Sequence, residues 1–248
     1  MARVFAALLF VPIVLFAEDK KDGPRVTAIA PLEIVPGVNA SLRIRGVKLK
    51  DASEVSFPDS TVKAEVKERK AADIPNGLDA KDIGDTQVEV ALTVPADLAP
   101  GKITFIVATP DGPASASVLV RDAAGLVDEK EPDNGFAEAQ SIELGRINRG
   151  SVKEDKDVDV FTFAGRAKQI VLAEVTANRC GSFLDAVLTI FDARGHILAT
   201  CDDTATSRDP QLRVELPADG AYFLALNDAH DRGGPWHNYE LTVKEIAP

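Results

Sequence analysis

Gln87-Val88-Glu89-Val90-Ala91-Leu92-Thr93-Val94 places an apolar side chain at every second position, Val88, Val90, Leu92 and Val94. A period of two belongs to a pleated strand with one face in a core and the other toward water. The same period recurs in Ser41-Leu42-Arg43-Ile44-Arg45, Lys102-Ile103-Thr104-Phe105-Ile106-Val107 and Gln211-Leu212-Arg213-Val214-Glu215-Leu216. Between these segments stand turn formers: Pro36-Gly37, Pro100-Gly101, Asp111-Gly112-Pro113, Asp219-Gly220 and Gly233-Gly234-Pro235. Short strands punctuated in this way predict an all-β chain of two β-sandwich domains in tandem. The one helix expected is short, over residues 135–141, with Asn134 as its N-cap.

The chain has 248 residues, 45% hydrophobic and 27% charged, which is a globular composition. Its formal net charge of −11 repels phosphate backbones, so nucleic acid is an unsuitable partner. Two Cys cannot build a four-cysteine zinc or iron–sulfur site, and three His leave little for an all-histidine metal centre. No Gly-x-Ser-x-Gly, P-loop or Rossmann fingerprint occurs.

Residues 1–17 read as an export signal. Arg3 supplies the positive start, and 14 uncharged residues follow from Val4 to Ala17. That run is too short to span a bilayer in the ordinary way. The alternative is an uncleaved anchor, with Pro12 inside the run. Export predicts a periplasmic, cell-surface or secreted protein. It also places Cys180 and Cys201 in an oxidising compartment, where a disulfide between them is expected. Closing that loop stabilises by about 3 kcal/mol on the chain-entropy account. The alternative is two small buried hydrophobes.

A boundary is expected where Arg121 to Asn134 turns polar and carries Gly and Pro. The charge changes there as well: residues 18–122 carry a net −3 and residues 123–248 a net −9. Residues 67–85, charged and without period, read as an insertion in the first half.

The order of parts in residues 24–121 resembles an IPT/TIG domain, an immunoglobulin-like sandwich. The resemblance lies in Val26 to Pro31, Pro36-Gly37, Ala40 to Leu49 with Gly46 inside it, Glu54 to Phe57, Pro100-Gly101 and Val107 to Gly112. It implies a spacer or surface-receptor module. After a linker over residues 122–134, residues 128–246 resemble the bacterial pre-peptidase C-terminal (PPC) domain. The matching residues are Glu129-Lys130-Glu131-Pro132-Asp133-Asn134, Asp157-Val158-Asp159-Val160-Phe161-Thr162-Phe163, Gly181-Ser182 with Leu184-Asp185, Ala218-Asp219-Gly220 with Tyr222, and Tyr239 with Leu241. Such domains accompany secreted peptidases, and related collagen-binding modules hold calcium at one edge. Residues 1–127 carry no peptidase pattern, so no proteolytic activity is expected to carry over with the resemblance.

Calcium takes 6–8 hard oxygen ligands. By resemblance, Glu129, Glu131, Asp133, Asn134 and Asp159 match the calcium-binding members. Lys156 stands where the family carries a further Asp, leaving Asp157 or Asp155 as the substitute. A solvated acidic edge is the competing account. Asp185, Asp202, Asp203 and Asp209 form a second acidic group, expected as turn residues. Asp228 to His237 holds two His and Trp236, candidates for a transition metal or for stacking on a sugar, against the plainer reading of a glycine-rich hairpin. The expected function is a non-enzymatic, exported binding or adhesion protein that recognises an extracellular or envelope protein or polysaccharide. The alternatives are a structural or accessory subunit of an exported complex, or a hydrolase working through paired carboxylates.

Overall fold

A computed structural model describes residues 23–75 and 77–247. The expected export signal, residues 1–17, lies outside the described residues. The first half contributes β1 (Arg25–Ala30), β2 (Glu33–Ile34), β3 (Ala40–Val47), β4 (Glu54–Ser56), β5 (Lys63–Ala71), β6 (Thr86–Thr93), β7 (Gly101–Thr109) and β8 (Gly112–Val120). These form two four-stranded sheets, ordered β1-β3-β6-β5 and β2-β8-β7-β4. The second half contributes β9 (Leu126–Asp128), β10 (Gln140–Ser141), β11 (Ile147–Ser151), β12 (Val158–Gly165), β13 (Ile170–Thr176), β14 (Ala186–Asp192), β15 (Ile197–Cys201), β16 (Gln211–Glu215), β17 (Gly220–Asp228) and β18 (Asn238–Glu245). They form two five-stranded sheets, β10-β12-β17-β14-β15 and β16-β13-β18-β11-β9. The chain is thus two β-sandwiches in tandem.

The period of two has the physical basis assigned to it. In β6, Val88, Val90 and Leu92 are buried and pack with Leu42, Ile44, Phe105 and Val107. The second core gathers Phe161, Phe163, Val171, Ala173, Val175, Leu188, Ile190, Leu224, Leu226 and Leu241. Each large apolar side chain so buried contributes about 1.5–3 kcal/mol relative to exposure.

Two local expectations are corrected. Residues 135–141 form turns and the start of β10, not a helix. Phe136 stacks on Phe223 at 4.5 Å between ring centroids and meets Phe191 edge-on at 5.2 Å, so this segment lies flat against the sheet. The α-helix among the described residues is α1 (Ala80–Ile83), capped by Asp79, whose side chain accepts from Lys81 N at 2.8 Å. The 67–85 segment begins as the outer part of β5, paired with β6, before turning through α1. The buried Arg45 side chain secures that excursion by donating to the carbonyls of Ile83, Gly84 and Asp73.

The halves pack on each other. Trp236 of the second is 5% exposed and clusters with Ala28 and Ala30 of the first. The Arg43 guanidinium sits 5.3 Å from the Trp236 ring and donates to Pro235 O. Ile29 N donates to Gly181 O at 2.9 Å. Arg121 grips Glu240 with two nitrogens, and Arg149 reaches Glu33 at 2.9 Å.

The expected disulfide is also corrected, because both cysteines are free thiols. Cys180 is buried against the core of the first sandwich. Cys201 packs at the margin of the second core, with its Sγ donating to Asp203 O. Two thiols committed to different cores are not placed to close the bridge. Among the described residues, no helix is long and apolar enough to cross a membrane.

Candidate metal centre

One end of the second sandwich collects four carboxylates. Glu129 extends β9, its N–H donating to Arg149 O at 2.9 Å and so continuing the pairing with β11. The chain then passes through Glu131 and Pro132 to Asp133, whose carbonyl accepts from Val160 N at 2.9 Å. That bond fastens the loop to β12, where Asp159 points inward with no exposed surface. A ligand atom from each of Glu129, Glu131, Asp133 and Asp159 lies within 4.8 Å of the others, an arrangement that can hold a metal ion.

The surroundings divide the cluster into a satisfied rim and an unsatisfied floor. Glu129 Oε2 accepts from Ser151 N at 2.8 Å and lies 3.2 Å from the Tyr239 hydroxyl oxygen. The Lys153 ammonium bridges Glu129 Oε1 at 2.9 Å and Glu131 Oε1 at 3.0 Å. On the floor, Tyr239 donates to Asp159 Oδ2 at 2.5 Å. Asp159 Oδ1 and both carboxylate oxygens of Asp133 are buried without a hydrogen-bond partner. Asp133, like Asp159, has no exposed surface. Native proteins pair nearly all their buried polar atoms, so three orphan oxygens in one place point to a missing cation or proton.

The electrostatics agree with that geometry. Burial, then the charges of Glu129 and Glu131, push the Asp133 carboxyl up to about 7. Burial, then Glu129, push Asp159 up to about 9, although the Tyr239 hydrogen bond works against the shift. Burial raises Tyr239 well above the usual phenol range, and the Asp159 charge adds to it. Lys153 loses some of its charge preference to burial, but its bonds to Glu129 and Glu131 more than compensate, and its pKa rises. Glu131 is held below the ordinary carboxylate range because the contact with Lys153 outweighs burial. Without a cation the floor keeps protons near neutral pH, whereas a divalent ion favours both carboxylates ionised.

The remaining expected positions fall around this cluster. Asn134 is exposed on the same loop. Asp157 is buried, but its Oδ2 accepts from Lys153 N at 2.7 Å and shapes the turn before β12. Lys156 sits in that turn at φ 69, and Asp155 accepts from Gly233 N. Asp209 caps residues 177–179 through three backbone N–H groups, Asp202 accepts from Asp203 N, and Asp228 accepts from the N–H groups of Asp185, His230 and Arg232. These aspartates serve as turn residues. Trp236 is occupied between the sandwiches and offers no free ring to a sugar. Burial lowers the pKa of His237.

Three contributors escape a reading by residue type. Tyr239 and Lys153 reach the site from 110 and 24 positions beyond Glu129, and nothing in their local pattern announces it. Gly150 is the third: a Cβ there would overlap the Glu129 carboxylate and the Tyr239 hydroxyl. Tyr239 and Gly150 stand at positions that match the PPC pattern, but the resemblance gave neither a part in the site.

No family profile matches the chain. A stretch of 118 residues, 46% of the chain, is 38% identical to a probable subtilase-type serine protease of Deinococcus radiodurans. The match spans 16% of that protease's length. Among solved structures, the chain is similar to the pre-peptidase C-terminal domain of a collagenase from Bacillus anthracis. That likeness has 18% identity and a TM-score of 0.35, over 47% of this chain and 100% of the other. It is also similar to PliG, a periplasmic inhibitor of g-type lysozyme from Aeromonas hydrophila, at 16% identity and a TM-score of 0.35, over 44% of this chain and 96% of that one.

Proposed function

We propose that the chain is an exported, non-enzymatic binding protein. Its first sandwich, residues 24–121, is an IPT/TIG-like spacer. Its second, residues 128–246, is a PPC-like recognition module for an extracellular protein or polysaccharide, stabilised by calcium. The observation that carries this reading is the set of buried, unpaired oxygens of Asp133 and Asp159 facing Glu129 and Glu131. The donors are all hard carboxylate oxygens drawn from two segments, the chemistry calcium prefers, with Asn134 and Asp157 close by in sequence to complete the set. Magnesium is a poorer match, because it demands a small octahedron and retains its waters. Calcium here stabilises the fold by tying the 129–133 loop to β12, and it performs no bond chemistry.

Thermal unfolding of the full chain in calcium, magnesium or chelator tests the reading. Calcium at a hundredfold over Kd raises stability by about 2.7 kcal/mol if it binds only the folded state. Equal midpoints in calcium and chelator, with no heat of binding, would leave a solvated acidic edge and overturn the proposal.

The 38% identity to part of a subtilase-type protease favours a second reading, an accessory module working beside an exported peptidase. Co-purification with a peptidase from the exporting cell supports it, and recovery of the chain free of any partner speaks for an independent binder.

A further inference from the structure

The Lys153 ammonium lies on the carboxylate oxygens that would face a bound ion, 2.9 Å from Glu129 Oε1 and 3.0 Å from Glu131 Oε1. We propose that Lys153 is a resident cation of the site, holding Glu129 and Glu131 together in place of a divalent ion and swinging into solvent when that ion binds. The inference rests on the calcium reading above and adds to it how the affinity is set.

Four features carry it. The ammonium reaches only the rim, and the three orphan oxygens of Asp133 and Asp159 lie on the floor without its help. One positive charge therefore leaves the four carboxylates undercompensated, and a doubly charged ion seated among all four serves them better. The same Oε1 atoms cannot serve both cations at full strength, because an ammonium and a divalent ion on shared oxygens repel each other in a partly buried site.

The side chain is also free to leave. Its side chain is 49% exposed on an unbranched stem, and Lys153 belongs to neither hydrophobic core, so swinging outward opens no core. The backbone of the residue stays put, since Lys153 N donates to Asp157 Oδ2 at 2.7 Å and the preceding Val152 is fully buried. Departure of the ammonium thus changes a rotamer, not the fold. The lysine keeps the rim assembled without the ion, and it makes the ion compete for its place.

The test is calcium titration by calorimetry on the full chain, comparing wild type with Lys153→Gln and Lys153→Arg, alongside thermal unfolding of each in chelator and in saturating calcium. Removing the charge is expected to tighten calcium binding about tenfold, the effect of deleting one close like charge in a partly solvated site. Lys153→Arg keeps the charge and is expected to bind no tighter than wild type. Lys153→Gln should unfold earlier than wild type in chelator, where the rim carboxylates repel unopposed, and no earlier in calcium. That reversal distinguishes a resident cation from a lysine that merely supports the fold. If Lys153→Gln is folded and binds calcium equally or more weakly, the displacement proposal is overturned while the calcium reading stands. If neither protein binds calcium, the calcium reading falls and the proposal with it.

Discussion

Tyr239 and Asp159, eighty residues apart in the chain, meet through a 2.5 Å hydrogen bond from the phenol to Asp159 Oδ2. The bond joins β18 of one sheet to β12 of the other at the floor of the carboxylate cluster. The phenol also lies 3.2 Å from Glu129 Oε2, so one hydroxyl steadies both segments that supply the site. Its ring packs edge-on to Phe161 at 6.4 Å, which fixes the direction in which the hydroxyl points.

Tyr239→Phe preserves the ring and deletes the donor. It leaves another oxygen of Asp159 buried without a partner, in a site already carrying three. The expected cost in chelator is about 1–3 kcal/mol, the penalty for stranding a buried polar group. Saturating calcium should recover part of that loss by satisfying the stranded oxygen. Denaturant titration of wild type and variant, each with calcium and with chelator, checks both statements.

Gly150→Ala acts on the same place from the backbone side. The added Cβ meets the Glu129 carboxylate and the Tyr239 ring, both held by the strand pairs around them. Overpacking of this kind costs about 1–3 kcal/mol. Because Glu129 must shift to make room, the calcium-dependent rise in the unfolding midpoint should shrink together with the stability. An Ala substitution at Gly125, where nothing lies within 4 Å of the new atom, serves as the neutral control.

How much of this was readable from residues alone differs from element to element. β6 was readable because Val88, Val90 and Leu92 face a core while Gln87, Glu89 and Ala91 do not. β5 was hidden: most of Lys63–Ala71 is exposed, and its strand character comes from backbone bonds to β6, which no side-chain pattern records. β9 lay inside what reads as a polar linker, and a parallel edge pairing with β11 makes it a strand. The segment after Asn134 carried a helix-start signal, yet the stacking of Phe136 on Phe223 holds it in turns. The carboxylates of the 129–133 loop and of β12 were each readable within their own segment, and that the two sets meet at one edge was what the PPC resemblance implied. Tyr239 and Lys153 were not, since a partner supplied from elsewhere in the chain leaves no local mark. The cysteine pairing failed for a related reason: an even count in an oxidising compartment says nothing about which core each thiol faces.

Trp236 joins the two sandwiches, and its removal should loosen them. Trp236→Ala empties the space against Ala28 and Ala30 and takes the ring from beneath Arg43. Truncating a buried aromatic of this size costs about 3–5 kcal/mol. The damage should be concentrated at the junction, so limited proteolysis should cut faster at the exposed residues 122–124. Uniform acceleration of cleavage throughout the chain, with none favoured at the junction, would show that Trp236 supports the second core and not the union of the two.

The pH dependence of stability offers a reading of the site that needs no added ligand. Asp133 is pushed up to about 7 and Asp159 to about 9, each from an ordinary 3.8. Both shifts are upward for an acid, so the folded protein holds protons that the unfolded chain has already released. Stability therefore falls as pH rises, beginning near the unfolded value and continuing until the folded groups have ionised. His237 acts in the opposite sense: burial lowers its pKa, so stability is lost as pH falls through its folded value. Above pH 7 the histidine is largely neutral in both states, and Asp133, half ionised at pH 7, gives up the rest of its proton by about pH 8, which leaves Asp159 as the main group to watch. Between pH 7 and 9 the chelated protein should lose about 2 kcal/mol, because a proton held by the folded state alone costs about 1.4 kcal/mol for each step of one in pH. Asp159→Asn, which cannot ionise at that position, should lose far less over the same interval, only what remains of the Asp133 ionisation. In calcium the wild type should lose less than in chelator, because an ion bound to the ionised carboxylate offsets the cost of deprotonating it, and calcium affinity should rise with pH as binding expels the proton. Unfolding free energies measured at pH 7, 8 and 9 for both proteins decide the matter. A wild-type slope indistinguishable from that of Asp159→Asn would mean that Asp159 is already ionised at neutral pH and that the floor of the cluster is satisfied without a cation.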